Sequence, residues 1–195
     1  MKQPLNCELH YYQEFIPPAE ARELYAELHA LVSAMRYQPQ LADGSSRQLD
    51  FGKLMFLDQE LLDSNRFPQE YWGPSLPWTE NLSSLRKRIE QNTGQTFRVG
   101  VLIFYPDGQS GMDYHADYSA FGDTSTIPSI SLGAERLFKF REKENGSEFA
   151  LTLAHGSLIV MGEHCQERYE HCLPIDPACT SPRINLTFRK YGYDE

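Results

Sequence analysis

The sequence predicts a mainly β protein of the α+β kind: a sandwich or barrel that a jelly roll would close economically, with supporting helices towards the N-terminus. Three observations carry this. From Phe97 onward the chain breaks into short β-rich runs, FRVGVLIFY, IPSISL, RLFKFR, FALTLAHGSLIVM and RINLTFRKY, separated by turn residues. No helical period survives among them, so there are no crossover helices to build a parallel sheet. Helical spacing is confined to two stretches upstream.

The first of these is Pro17 to Met35, with proline at its start and Leu24, Leu28, Leu31, Val32 and Met35 recurring on one face. Residues 37 to 78 follow, rich in Pro, Gly, Asp and Ser, and their SSRQLDFGKLMF reads as a short hairpin or loop with exposed aromatics. The second helix spans about Thr79 to Thr93, with Leu82, Leu85 and Ile89 on one stripe and Gly94 placed to cap its C-terminus. There is no internal repeat. The 195 residues fit one domain, 1–195, with a helical and lid region over about 1–96 and a jelly-roll core over about 97–191.

A hydrophobic fraction of 41% beside 23% charged residues excludes a disordered or fibrous chain. MKQPLNCELHYY lacks the apolar centre of a signal peptide, and no apolar run nears the roughly 20 residues that span a bilayer. A cytoplasmic protein with no membrane contact and no obligate protein partner is expected. Cys7, Cys165, Cys172 and Cys179 form no CxxC pair, so reduced thiols are expected and a zinc site is not. The net charge of −9 opposes broad wrapping of nucleic acid, which needs a basic footprint. Basic residues do cluster at Arg86-Lys87-Arg88, at Arg136-Lys139-Arg141-Lys143 and at Arg189-Lys190, either as contacts to phosphate or as solvated faces.

In FYPDGQSGMDYHADYS the turn at Pro106-Asp107-Gly108 precedes His115-Ala116-Asp117. If that segment is extended, the period of two directs both His115 and Asp117 at one ion. Two histidines and a carboxylate on one face of an octahedron, with three positions open, suit Fe(II) oxygenases. By itself HxD is a weak signal. The third ligand stays open among His155, His164 and His171, with His155 and His164 better suited to ordinary hydrogen bonding.

The C-terminal strand strengthens the reading. Arg183-Ile184-Asn185-Leu186-Thr187-Phe188-Arg189 alternates throughout, with Arg, Asn, Thr and Arg on one face and Ile, Leu and Phe on the other. An edge strand with basic residues in solvent would look alike. Turned inward, Arg183 and Arg189 would instead flank an anion, because a planar guanidinium grips carboxylates bidentately. A metal triad beside an arginine-lined anion site suggests a 2-oxo acid chelating iron, with O2 as the second cosubstrate and C–H hydroxylation as the outcome.

These motifs together resemble the AlkB family of Fe(II)/2-oxoglutarate-dependent dioxygenases, in its branch that repairs alkylated nucleic acid. FYPDG with HAD, SLGAERLFKFR, LAHGSLIVM, EHCLP and PRINLTFRKY follow the family's order over about Ser46 to Tyr191. The resemblance implies a double-stranded β-helix, His171 as the third metal ligand, and Fe(II), 2-oxoglutarate and O2 as cofactor and cosubstrates. It implies that Tyr105 hydrogen-bonds 2-oxoglutarate, that Arg183 bridges its distal carboxylate, and that Asn185, Thr187 and Arg189 bind it further. It likens the loop with Arg47, Gln48, Phe51 and Gly52 to a lid over the substrate nucleotide, where Phe51 or Phe56 would stack on a flipped base.

Two positions depart from the family's pattern. Ile103 stands where these dealkylases carry a cosubstrate-binding asparagine, removing a hydrogen bond worth on the order of 1 kcal/mol. Tyr118 follows Asp117 where the DNA-directed members carry an acidic residue that helps read the base, which bears on substrate choice. The leading expectation is oxidative demethylation of N-alkylated bases in DNA or RNA with release of formaldehyde, which predicts a basic rim around the pocket. A hydroxylase or demethylase of a protein or small molecule is the alternative, favoured by a neutral mouth. A non-catalytic jelly-roll binding module ranks last.

Overall fold

The computed structural model describes residues 3–35 and 50–192. In chain order they form β1 (Leu9–Tyr12), α1 (Pro18–Ala34), β2 (Gly52–Leu57), α2 (Gln59–Asp63), α3 (Gln69–Trp72), β3 (Ser75–Pro77) and α4 (Glu80–Thr93). There follow β4 (Val99–Tyr105), β5 (Met112–His115), β6 (Ile127–Gly133), β7 (Arg136–Glu142), β8 (Glu148–Leu153), β9 (Ser157–Met161), α5 (Cys165–Arg168), β10 (Tyr169–Leu173) and β11 (Arg183–Arg189).

The strands make a large sheet, ordered β1-β9-β6-β11-β4-β2-β3, and a smaller one, ordered β5-β10-β7-β8. Every pairing is antiparallel except β2 with β3. The two sheets form the expected jelly roll. Leu9, Ile127, Ile159 and Met161 of the large sheet pack with Phe140 and Leu153 of the small one, closing one end of the sandwich.

The outer face of the large sheet carries the main core. Leu54, Phe56, Leu102, Ile130, Ile184, Leu186 and Phe188 meet Leu24, Leu28 and Val32 of α1 and Leu82, Leu85 and Ile89 of α4. Both helices therefore follow from their apolar stripes, as expected. Thr79 Oγ1 accepts the Leu82 amide at 3.2 Å, and Gly94 ends the helix in the left-handed conformation at φ 69°. Trp78 stacks on Phe188 with centroids 5.8 Å apart, and Gly100 leaves room for it, since a Cβ there would lie 2.8 Å from the indole.

Four strands escaped the sequence reading. β1, β3 and β10 are short, and β2 occupies the stretch read as a short hairpin or loop with exposed aromatics. That expectation is corrected for Phe56, which is wholly buried against Trp78 and belongs to the core behind the sheet. Phe56 therefore cannot stack on a substrate base, which leaves Phe51 of the two. Among the described residues no helix is long and apolar enough to cross a membrane. All four cysteines are free thiols.

Candidate active site

β11 is a central strand, paired with β4 on one side and β6 on the other, so its polar face is the inner face of the sandwich and not a solvent edge. Arg183 and Arg189 are only 1% and 4% exposed. Opposite them lies the small sheet, and between the two sheets is a cavity of about 360 Å³ whose walls include His115, Asp117, His171, Arg183, Asn185 and Arg189.

Pairing of β5 with β10 sets His115 opposite His171, with ring centroids 4.4 Å apart. The extended segment ends at His115, and Asp117 lies just beyond it, held by its backbone N–H donating to Gln166 Oε1 at 2.8 Å. One ligand atom from each of His115, Asp117 and His171 falls within 4.8 Å of the others. His115 Nδ1 is 2.7 Å from the Asp113 carbonyl, the arrangement that fixes the proton on Nδ1 and leaves Nε2 for a metal. Burial pushes the His171 pKa down to about 4, against the pull of Asp117, so at neutral pH it is an uncharged imidazole, the form able to ligate a metal. Two imidazoles and one carboxylate facing an open cavity fit Fe(II).

The other candidates lie apart. His155 Nδ1 accepts the Gly133 amide at 2.9 Å, and His164 Nδ1 is 2.9 Å from Glu167.

The anion end is built on β11 and its neighbours. Arg183 donates to Ser131 Oγ at 2.9 Å and lies 3.4 Å from Asn185 Oδ1, while its Nε is buried with no partner. Burial pushes its pKa down to about 10, and among the described residues no carboxylate pairs with it. A buried guanidinium with an unpartnered Nε fits a cosubstrate carboxylate. Asn185 Oδ1 also accepts from Ser129 Oγ at 2.8 Å, and its Nδ2 donates to Thr187 Oγ1 at 3.0 Å. Tyr105 is buried with its ring 5.6 Å from the Arg183 guanidinium, and burial raises its pKa more than that charge lowers it, so it remains a phenol. Arg189 donates to Asp117 Oδ1 at 3.3 Å and to the Tyr118 carbonyl.

At the mouth Phe51 lines the cavity and Tyr118 is 79% exposed. Arg47 and Gln48 lie outside the described residues. The expected basic rim is absent among the described residues. The adjoining groove carries Asp50, Asp113 and Glu148 against Lys139, which is bound to Glu148 at 3.0 Å. The basic clusters are largely engaged elsewhere. Arg86 binds Asp58 and Arg88 binds Glu20; Arg136 is buried on backbone carbonyls, and Arg141 binds Glu170; Lys190 binds Asp123.

Sequence reasoning missed Lys53, Trp72 and Gln166. Lys53 and Trp72 line the cavity from β2 and α3. A lysine in a run expected to loop out gave no signal, and Gln166 is recognisable only through its contact with Asp117.

Residues 8–189 match the family described as the 2OG-Fe(II) oxygenase superfamily. The chain is 33% identical over 202 residues to the bovine (Bos taurus) "DNA oxidative demethylase ALKBH2", covering 95% of this chain and 69% of that protein. It is 36% identical over 132 residues to the mouse (Mus musculus) "Alpha-ketoglutarate-dependent dioxygenase alkB homolog 3", covering 63% of this chain and 44% of that one. The solved structure titled "The structure of OsALKBH1" superposes with a TM-score of 0.64 over 97% of this chain and 99% of that chain; at 16% identity, the likeness is one of fold. Metal-fitting triad, buried arginine and jelly roll thus coincide with descent, and the chain belongs to the AlkB family of the 2OG-Fe(II) oxygenase superfamily, enzymes that use Fe(II), 2-oxoglutarate and O2.

Proposed function

We propose that this chain oxidatively demethylates N-alkylated bases in DNA or RNA, with His115, Asp117 and His171 holding Fe(II). The observation that carries the reading is the pairing of that triad with a buried, carboxylate-free Arg183 at the far end of one cavity. Its similarity to a protein named a DNA oxidative demethylase supports the substrate. Bound iron with 2-oxoglutarate and O2 supplies oxidative decarboxylation to succinate and CO2, and the second oxygen atom goes into the substrate's methyl C–H bond. The resulting N-hydroxymethyl group breaks its C–N bond, returning a proton to nitrogen and releasing formaldehyde.

The chain's own residues bind and orient. Arg183 takes the distal carboxylate, with Tyr105, Asn185 and Thr187 lining the path towards the metal. Arg189, bonded to Asp117, holds that ligand's carboxylate in place. Phe51 and Tyr118 flank the entrance, where an unstacked base would lie beside His115. The apolar wall of Val101, Ile103, Met112 and Leu173 keeps water from the reacting methyl group.

The acidic groove beside the mouth favours a second reading, in which the same chemistry acts on a protein side chain or small molecule. One experiment separates them. The protein is incubated with Fe(II), ascorbate and 2-oxoglutarate, and succinate and formaldehyde are followed with methylated single-stranded DNA, unmodified DNA or neither. Matched succinate and formaldehyde only on methylated DNA, both lost in His171→Ala, is the expected result. Succinate without formaldehyde on methylated DNA, or on methylated RNA assayed alongside it, would move the substrate to the second reading, and neither product from iron-loaded protein would sink the catalytic assignment.

A further inference from the structure

The cavity holds three basic side chains other than histidine, and their partners differ. Arg189 is committed to Asp117 and the Tyr118 carbonyl. Arg183 has hydroxyl and amide partners but, among the described residues, no carboxylate. Lys53 is the third. Among the described residues no carboxylate oxygen lies within ion-pair distance of its ammonium group, which sits 5.9 Å from the centroid of the Trp72 ring. Burial alone lowers its pKa, so the charge sits in a poorly solvated wall.

Its place in the sheet is defined by register. Lys53 pairs with Ile103 across β2 and β4, and Ile103 pairs with Asn185 across β4 and β11. The three form one inward-facing row, with Lys53 about 10 Å from Asn185 by strand spacing. A lysine side chain extended over Ile103 would span much of that gap. Ile103 itself offers no hydrogen bond. Two cations that pair with no carboxylate among the described residues, both lining a cavity that also holds a metal-fitting triad, match a dianion with two carboxylates.

We propose that Lys53 is a second cosubstrate-binding residue, pairing with the 2-oxo-acid carboxylate of 2-oxoglutarate at the end opposite Arg183. The inference rests on the proposed iron and 2-oxoglutarate reading and assigns to β2 a binding role in addition to its packing role.

Calorimetric titration of 2-oxoglutarate into protein loaded with Mn(II), a redox-silent substitute for iron, tests this without turnover. Lys53→Met should weaken binding at least ~10-fold, the loss of one charge-assisted hydrogen bond, with an unchanged melting temperature. Lys53→Gln, which keeps a donor without the charge, should fall between the two. The same titration with 2-oxovalerate, which lacks the distal carboxylate, should show the same factor for Lys53→Met and none for Arg183→Met. Unchanged 2-oxoglutarate affinity in a folded Lys53→Met protein would overturn the proposal while leaving the oxygenase reading intact. A loss confined to 2-oxoglutarate would overturn it by placing Lys53 at the distal end. Failure of the wild-type protein to bind 2-oxoglutarate would overturn both.

Discussion

Arg189 Nη1 lies 3.3 Å from Asp117 Oδ1, so the last residue of a central strand reaches across the sandwich to hold a carboxylate of the candidate metal triad. Partners that orient a metal ligand typically contribute 10- to 100-fold in affinity. Arg189→Met should therefore weaken Mn(II) binding by at least ~10-fold. Titration monitored by electron paramagnetic resonance would measure it, and a change within about twofold would show that Asp117 is placed without its help.

Gln166 acts on the same ligand from the other side, accepting the Asp117 amide hydrogen at 2.8 Å. Gln166→Glu keeps an acceptor at that distance, whereas Gln166→Leu leaves the amide unpartnered. We expect the leucine variant to lose several-fold in Mn(II) affinity, on the order of 1 kcal/mol, and the glutamate variant to recover most of it. Equal affinities in the two would remove the hydrogen bond from the account.

The Asp123–Lys190 ion pair, 2.6 Å long, ties the segment after Asp117 to the residue just beyond β11. Burial raises the Asp123 pKa, but the hydrogen bonds from Lys190 and Ser125 outweigh it and hold the group at about 2, against 3.8 unperturbed. A depressed carboxylate contributes stability above its unfolded pKa and loses it as pH falls through the folded one. Unfolding between pH 4 and pH 2 should thus be steeper in wild type than in Asp123→Asn, by about 1–2 kcal/mol across the window. Urea melts at stepped pH would reveal parallel curves if the pair contributes nothing.

Among the described residues, Arg86, Arg88, Lys139, Arg141, Arg189 and Lys190 of the basic clusters already hold carboxylates, which leaves fewer clustered cations for phosphates. Each phosphate neutralised on single strands contributes a salt slope near −0.7, so two contacts imply less than a tenfold loss between 50 and 200 mM salt. Measuring KM for methylated single-stranded DNA over that range tests it. A much steeper dependence would assign the phosphate footprint to residues 36–49, outside the described chain.

At Gly100 a Cβ would meet the Trp78 ring at 2.8 Å, and that ring is sandwiched in the aromatic stack with Phe56 and Phe188. Gly100→Ala should cost about 1–3 kcal/mol, read as a lowered melting temperature. Pairing it with Trp78→Leu should recover part of the loss, which additive effects would not.

What could be read in advance divides along local and non-local lines. β11 announced itself because seven residues alternate between the two faces it presents, and α4 because its stripe and Gly94 sit within a single helix. Which histidine completes the triad is different. His171 is selected by the pairing of β10 with β5, a contact between distant segments that no short window contains. β2 was hidden because Leu54 to Leu57 are buried on both faces, giving a continuous apolar run without alternation after a polar stretch. Lys53 was lost with it, and the engagement of the basic clusters by Asp58, Glu20 and Glu170 depends on partners brought from other elements.

The strict two-residue alternation of β11 also sets a reading frame for change. A substitution alters one position on one face, but inserting or deleting one residue within Arg183–Arg189 would rotate everything beyond it, placing Arg189 in the helix-packed core and Ile184, Leu186 or Phe188 in the cavity. Variation in chain length must therefore accumulate in the connecting loops, and the spacing between the two arginines should be the most length-intolerant interval in the molecule.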